Sequence, residues 1–215
     1  MNKENDIIVE KYRKGKMMKK KLEDMTLEEL WQLFPIFLVE HREEWADWYQ
    51  EESQQLLKLL TKDRIKRISH IGSTIIPNIW AKNIVDILLE VANREDLGVL
   101  VDILKEKGWR VMYQESNQCS LNKGYTEDGF ADRVFHLHLR LVGDHDELYF
   151  RDYLLAHPEI AKDYEQMKLD LWKRFEHDRD GYTQSKTDFI QRYTQLAKKE
   201  YKERYGDVKH SDNKF

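Results

Sequence analysis

Asp86 stands in the middle of the apolar run Ile84-Val85-Asp86-Ile87-Leu88-Leu89-Glu90-Val91. A carboxylate in a buried strand loses its hydration and needs a cation or hydrogen-bond donors in return. Upstream, a β-branched run ends in His70-Ile71-Gly72-Ser73-Thr74. Glycine lets the backbone approach a ligand closely, and Ser73 and Thr74 are suited to cap a following helix whose free N–H groups attract anions. Together these segments read as a phosphate cradle (Gly72, Ser73, Thr74) facing a metal-binding carboxylate. Side chains in a strand repeat with a period of two, so Leu88 follows Asp86 on the same face and Glu90 follows Leu88. Asp86 and Glu90 are the candidate catalytic carboxylates, yet their spacing is wrong for two oxygens to share one Mg²⁺ in the usual way.

Further along, Arg133 to Leu141 alternates, with Phe135, Leu137, Leu139 and Leu141 on one face and Val134, His136, His138 and Arg140 on the other. His136, His138 and Asp86 make a three-ligand set with an open position, better suited to Zn²⁺, Mn²⁺ or Fe²⁺ than to Mg²⁺. The alternative is that the imidazoles hydrogen-bond within the polar face, or bind phosphate when protonated. His70, just before Gly72, suits a supporting position. Lys82 offers a phosphate a point charge and Arg151 a planar fork, although Arg151 is equally placed to pair with Asp152. No phosphate-binding loop of the Gly-x-x-x-x-Gly-Lys type, serine-hydrolase elbow or Cys-x-x-Cys pair occurs.

The string His70-Ile71-Gly72-Ser73-Thr74-Ile75-Ile76-Pro77-Asn78-Ile79-Trp80-Ala81-Lys82-Asn83-Ile84-Val85-Asp86-Ile87 resembles the signature of the GrpB family, a branch of the polymerase-β-type nucleotidyltransferases. The resemblance continues in His136-Leu137-His138, in Phe150-Arg151-Asp152-Tyr153-Leu154, and in Tyr182-Thr183 with Lys186, Phe189 and Ile190, and it runs from about Pro35 to Ala197. It implies an α+β fold, a nucleotidyltransferase-like mixed sheet flanked by helices, with N- and C-terminal helices packed around it. It also implies a nucleotide or phosphorylated small molecule as ligand and a divalent metal, Mg²⁺ or Mn²⁺ with Zn²⁺ as the alternative. Asn78 stands where the family has glycine and Asn83 where it has proline; asparagine tolerates the left-handed region, so the turn is expected to persist.

The elements that must position these groups can be read from patterning. Thr26 and Glu29 form a capping box ahead of a short helix that Pro35 ends, and residues 41–60 carry an apolar aromatic face. Strands are expected over 65–71, 84–91, 109–113 and 133–141, with a helix opened by Asn93 and closed by Gly108. Residues 114–132 are polar and read as a hairpin loop or mobile flap. Past His157-Pro158 the periodicity is helical, with a last helix from about Thr183.

The 215 residues suit one domain: a basic leader over 1–24, a folded unit over 25–204 and a polar tail over 205–215. A net charge of −4 supplies no positive field for duplex nucleic acid. Abundant aromatic residues favour a folded core, while the block from Lys11 to Lys21 contains no acid and reads as a solvated leader. One cysteine, no signal-type stretch and no membrane-length apolar run point to a cytoplasmic protein. Three functions fit these residues: a metal-dependent nucleotidyltransferase-like enzyme, a non-catalytic nucleotide-binding module that has lost the acidic pair, or a His/Asp divalent-metal hydrolase. On the second, Leu88→Asp is expected to improve Mg²⁺ affinity.

Overall fold

A computed structural model describes residues 20–202, 204 and 205. The block from Lys11 to Lys19 and the tail beyond Tyr205 lie outside the described residues. Helix α1 (Leu27–Leu33) starts at the expected capping box, where Thr26 Oγ1 accepts from the Glu29 backbone and the Glu29 carboxylate accepts from the Thr26 N–H. Just before it, Leu22–Asp24 form one 3₁₀ turn and Leu22 is buried, so part of the segment read as leader packs on the domain.

Five strands come next: β1 (Ile65–Ile71), β2 (Val85–Val91), β3 (Arg110–Gln114), β4 (Gln118–Thr126) and β5 (Gly129–Leu141). They form one sheet in the order β1-β2-β5-β4-β3. Only β2 and β5 run parallel, so the sheet is mixed as the sequence led us to expect. Helices α2 (Glu44–Leu59) and α3 (Arg94–Glu106) place Trp45, Trp48, Leu97 and Leu100 against Val85, Ile87, Leu89, Leu137 and Leu139, which makes one face of the sheet the main core. Asn93 caps α3 by accepting from the Asp96 N–H, and Gly108 leaves it at φ +85°.

The polar stretch expected to be a loop or flap is instead β4 and the first turn of β5. Cys119 and Leu121 alternate inward and are fully buried, while their polar neighbours take the other side. Alternation of only two apolar residues among polar ones is too short to read as a strand, and pairing with β5 supplies what local pattern does not.

The second face of the sheet carries the polar ladder. Parallel register sets Asp86 beside His136, Leu88 beside His138 and Glu90 beside Arg140. Over this face lie α4 (Asp146–Ala156), α5 (Pro158–Phe175), α6 (Arg179–Gln184) and α7 (Thr187–Tyr201). Leu88 has no exposed surface and packs with Ile71 and Leu148. Among the described residues no helix is long and apolar enough to cross a membrane. Tyr205, assigned to the polar tail by sequence, packs against Tyr149 and His145.

This burial reverses the expectation for position 88. A carboxylate there has no partner and displaces a packed methyl pair, so Leu88→Asp is expected to lower unfolding free energy by at least about 3 kcal/mol and to leave Mg²⁺ affinity unimproved. Urea denaturation with a Mg²⁺ titration of the folded fraction checks it; a stable variant with tighter Mg²⁺ binding would refute the packing argument.

Candidate functional site

Gly72 leaves β1 at φ +74° and ψ −164°, a conformation close to reserved for glycine, and a Cβ there would stand 2.3 Å from Asp86 Oδ2. The bend and the carboxylate are thus in direct contact, as the spacing suggested. Beyond the bend the chain makes a single 3₁₀ turn, Ser73–Ile75, and not an α-helix, so no helix N-terminus is available to an anion. Thr74 is buried, with its hydroxyl 2.8 Å from His70 Nε2, and His70 stacks on Tyr49. Burial pushes His70 down to about 4, so at neutral pH it is an uncharged brace under the bend.

The imidazoles reach Asp86 as predicted: His136 Nδ1 lies 3.2 Å and His138 Nε2 3.6 Å from Oδ1. Burial by itself would raise the Asp86 carboxyl, but hydrogen bonds from His136 and His138 outweigh it and hold the group far below the usual carboxylate range. Burial also lowers His136 to about 4, leaving it neutral. An ionised carboxylate only accepts, so the neutral His136 carries its hydrogen on Nδ1 and a lone pair on Nε2. Tyr125 O–H, 2.8 Å away, therefore donates to Nε2 and accepts in turn from Arg179 Nη2 at 3.0 Å. The result is a one-way chain from Arg179 through Tyr125 and His136 to Asp86. At His138, Arg140 Nη2 donates to Nδ1 at 3.4 Å, which leaves the hydrogen on Nε2, facing Asp86.

Both imidazoles thus present N–H groups to the carboxylate and turn their lone pairs away from it. Metal ligation needs the lone pairs, so Asp86, His136 and His138 do not fit together as a three-ligand centre in this arrangement. Among the described residues no group of three or more His, Cys, Asp or Glu side chains is disposed to hold a metal ion.

Cations gather on the same side. The segment before β2 is pinned by a bridge between Val39 and Ala81, by Ile84 N–H donating to the Lys82 carbonyl, and by α5, whose Glu165 and Lys168 satisfy the N–H and C=O of Trp80. Lys82 Nζ rests 5.6 Å and Lys186 Nζ 4.5 Å from the centre of the Tyr182 ring, and Lys168 Nζ lies 4.8 Å from that of Tyr164. Burial, reinforced by its cationic neighbours, holds Lys82 well below the usual lysine value. Burial likewise takes Lys186 to about 8 and Lys168 to about 7. Among the described residues neither Lys82 Nζ nor Lys186 Nζ forms a salt bridge or donates a hydrogen bond. Lys82 and Arg179 border an open cavity of about 360 Å³ walled in part by Phe37, Trp48 and Phe130.

Two predicted residues stay outside this group. Glu90 is buried in a separate cluster, 3.0 Å from both Arg67 and His145. Arg151 donates to Asp152, to the His70 carbonyl and to the Tyr205 hydroxyl, the structural pairing considered as its alternative. It braces the end of β1 from α4. Arg179, Tyr125 and Lys168 are not singled out by sequence, because each sits in a polar or helical stretch with no motif; Tyr182 and Lys186 are named there only through the family resemblance.

Residues 35–196 match the family described as GrpB protein. The chain belongs to the GrpB family. It is 33% identical over 165 residues to the UPF0157 protein YqkA of Bacillus subtilis (strain 168), covering 75% of this chain and 47% of that one. It is 31% identical over 165 residues to the glutamate-rich protein GrpB of Alkalihalophilus pseudofirmus, covering 72% and 91% respectively. The chain thus spans about half the length of one relative and nearly all of the other. The crystal structure of the conserved protein GrpB from Enterococcus faecalis superposes with a TM-score of 0.67 at 28% identity, over 77% of this chain and 99% of that one. The α+β scaffold expected for a GrpB protein, a mixed sheet flanked by helices, is the one observed.

Two variants report on this geometry. Gly72→Ala forces a side chain into both a disfavoured backbone region and Asp86, and is expected to cost about 2–5 kcal/mol of stability by chemical denaturation. Tyr125→Phe removes the donor to His136 Nε2. ¹⁵N-detected NMR is expected to show His136 as the Nδ1–H tautomer in the parent protein and as a mixture in the variant; an Nε2–H parent would contradict the chain of donors.

Proposed function

We propose that this GrpB protein binds a nucleotide or another phosphorylated small molecule through its cationic cluster, as a ligand-binding module and not as a two-metal transferase. The observation that carries the reading is the gathering of Lys82, Lys186 and Lys168 within electrostatic range of Asp86, with Lys82 and Arg179 also lining an open cavity. Crowded ammonium groups that outnumber their counter-ion raise each other's energy, and a phosphate relieves that repulsion. Arg179 supplies a fork, Lys186 supplies a point charge, and Lys168, occupied by the Trp80 carbonyl, contributes background potential. The Gly72-Ser73 bend shapes the wall behind Asp86.

The acids argue against two-metal transfer on this sheet. Asp86 is one carboxylate, Leu88 is sealed under α4, and Glu90 is committed to Arg67 and His145. A divalent ion arriving with a nucleotide polyphosphate would find Asp86 alone among these three positions. Asp86 instead balances the cations and, pinned by two N–H groups, keeps a negative charge that repels phosphate from its own position and confines it to the lysines.

Calorimetry with tripolyphosphate and with ATP, CTP, GTP and UTP, each with and without Mg²⁺, tests the reading. Binding that survives removal of Mg²⁺ is expected, weakened at least about tenfold in Arg179→Gln and Lys186→Gln. The pH dependence has a definite sign. Lys186 and Lys168 lie near 8 and 7 when free, and an anion raises both, so affinity should fall as pH rises from about 6.5 to 9. Absence of binding to every one of these ligands would end the proposal.

A further inference from the structure

Lys82 differs from its cationic neighbours in what surrounds it. Arg179 is tied to Tyr125 and Lys168 to the Trp80 carbonyl, whereas among the described residues Lys82 donates to no acceptor and still borders the cavity. Facing it are Arg179 at the start of α6, Lys186 between α6 and α7, Lys168 from α5, the Tyr182 ring, and, from the sheet, Asp86 and the neutral His136. Three cations thus stand in range of the amine with Asp86, while Asp132 lines the cavity beyond. The backbone on both sides is fixed by the Val39–Ala81 bridge and by the Ile84-to-Lys82 hydrogen bond, so the residue that lines the cavity is held in place with its amine 5.6 Å from the centre of the Tyr182 ring.

We propose that Lys82 is a nucleophilic amine that forms an imine with the carbonyl carbon of a flat phosphorylated aldehyde or ketone, whose phosphate rests on Arg179 and Lys186. A lysine desolvated beside other cations sheds its proton and becomes the nucleophile of carbonyl chemistry. Burial and the three neighbouring cations act in that direction here. The phosphate half of the inference rests on phosphate binding by the cationic cluster; the amine half does not. The Nζ lone pair attacks the carbonyl carbon as the C=O π pair moves to oxygen. Both amine hydrogens then pass to that oxygen, water leaves and a C=N bond remains, so neither oxidant nor reductant is consumed. Phe37, Trp48 and Phe130 give the cavity apolar walls that suit a ring conjugated to the carbonyl. Asn83 lines it too; its Oδ1 accepts from Trp45 Nε1 at 2.8 Å, which leaves the amide NH₂ to meet a ring acceptor.

The full chain is treated with pyridoxal 5′-phosphate, or with pyridoxal lacking the phosphate, then reduced with borohydride and mapped by peptide mass spectrometry. The expected result is labelling of Lys82 at least about tenfold faster than any exposed lysine, faster with the phosphorylated aldehyde, and suppressed by tripolyphosphate. Equal labelling of Lys82 by both aldehydes without protection would keep the nucleophilic amine and overturn the phosphate assignment. Tripolyphosphate binding together with labels scattered over exposed lysines would overturn the amine and leave phosphate binding in place. Folded Lys82→Met, verified by circular dichroism, is expected to lose the imine absorbance; an undiminished signal would also overturn the proposal.

Discussion

The ionised side chain of Asp86, held in a low-dielectric sheet face, is the constraint around which the rest of the site is arranged. Its charge is tolerable there because each oxygen is accounted for: Oδ1 receives N–H groups from His136 and His138, while Oδ2 lies against the one residue in the bend that has no side chain. Both imidazoles therefore turn an N–H toward Asp86, an orientation set by hydrogen-bond donors behind them. Tyr125 and Arg140 fill that role, and Tyr125 needs Arg179. One half-buried charge thus fixes the orientation of side chains from the β4–β5 hairpin and from α6, some forty residues further along the chain.

A single negative charge cannot offset the cations around it, and this imbalance separates a ligand-binding pocket from an internal ion-pair network. The Glu90 cluster shows the contrast within the same strand. There the carboxylate meets Arg67 and His145, Tyr205 lies over the Arg67 guanidinium, and the group is closed to solvent. Such a pair contributes little net stability beyond avoiding an uncompensated charge. Two acids on one strand face therefore play opposite parts: Glu90 is neutralised and covered, while Asp86 is solvated in part and outnumbered.

Much of this was legible in the sequence where a local rule operated. Thr26 with Glu29, Asn93 before α3, alternation along β5 and the apolar run around Asp86 each encode their element directly. Asn78 does adopt the left-handed conformation, φ +61°, that its replacement of glycine demanded. The misses are long-range. β4 is a strand because β5 lies beside it; Arg151 is structural because Asp152 and the His70 carbonyl surround it; Glu90 is closed off by α4 and β1. Arg179 and Tyr125 enter the site from elements whose own sequences carry no signal of it. Periodicity reports which face a residue occupies and is silent on what a partner from elsewhere in the chain places opposite.

The relation between Leu88 and the cations completes the electrostatic logic. In a site built on two carboxylates, metal ions supply the positive charge that phosphate requires, and the acids supply the negative charge that holds the metals. A packed leucine in place of a second acid removes a metal-holding charge and also removes the attraction that would keep nearby lysines protonated. The remaining carboxylate is enough to draw Lys82 and Lys186 toward it and too little to pair with both. Covalently fixed cations then take the position that bound ions would occupy. Their protonation, unlike a metal's charge, yields to its surroundings. Lys82 sits where that yielding is greatest, with three cations and one anion in range. The geometry that crowds these lysines also favours the unprotonated amine at Lys82.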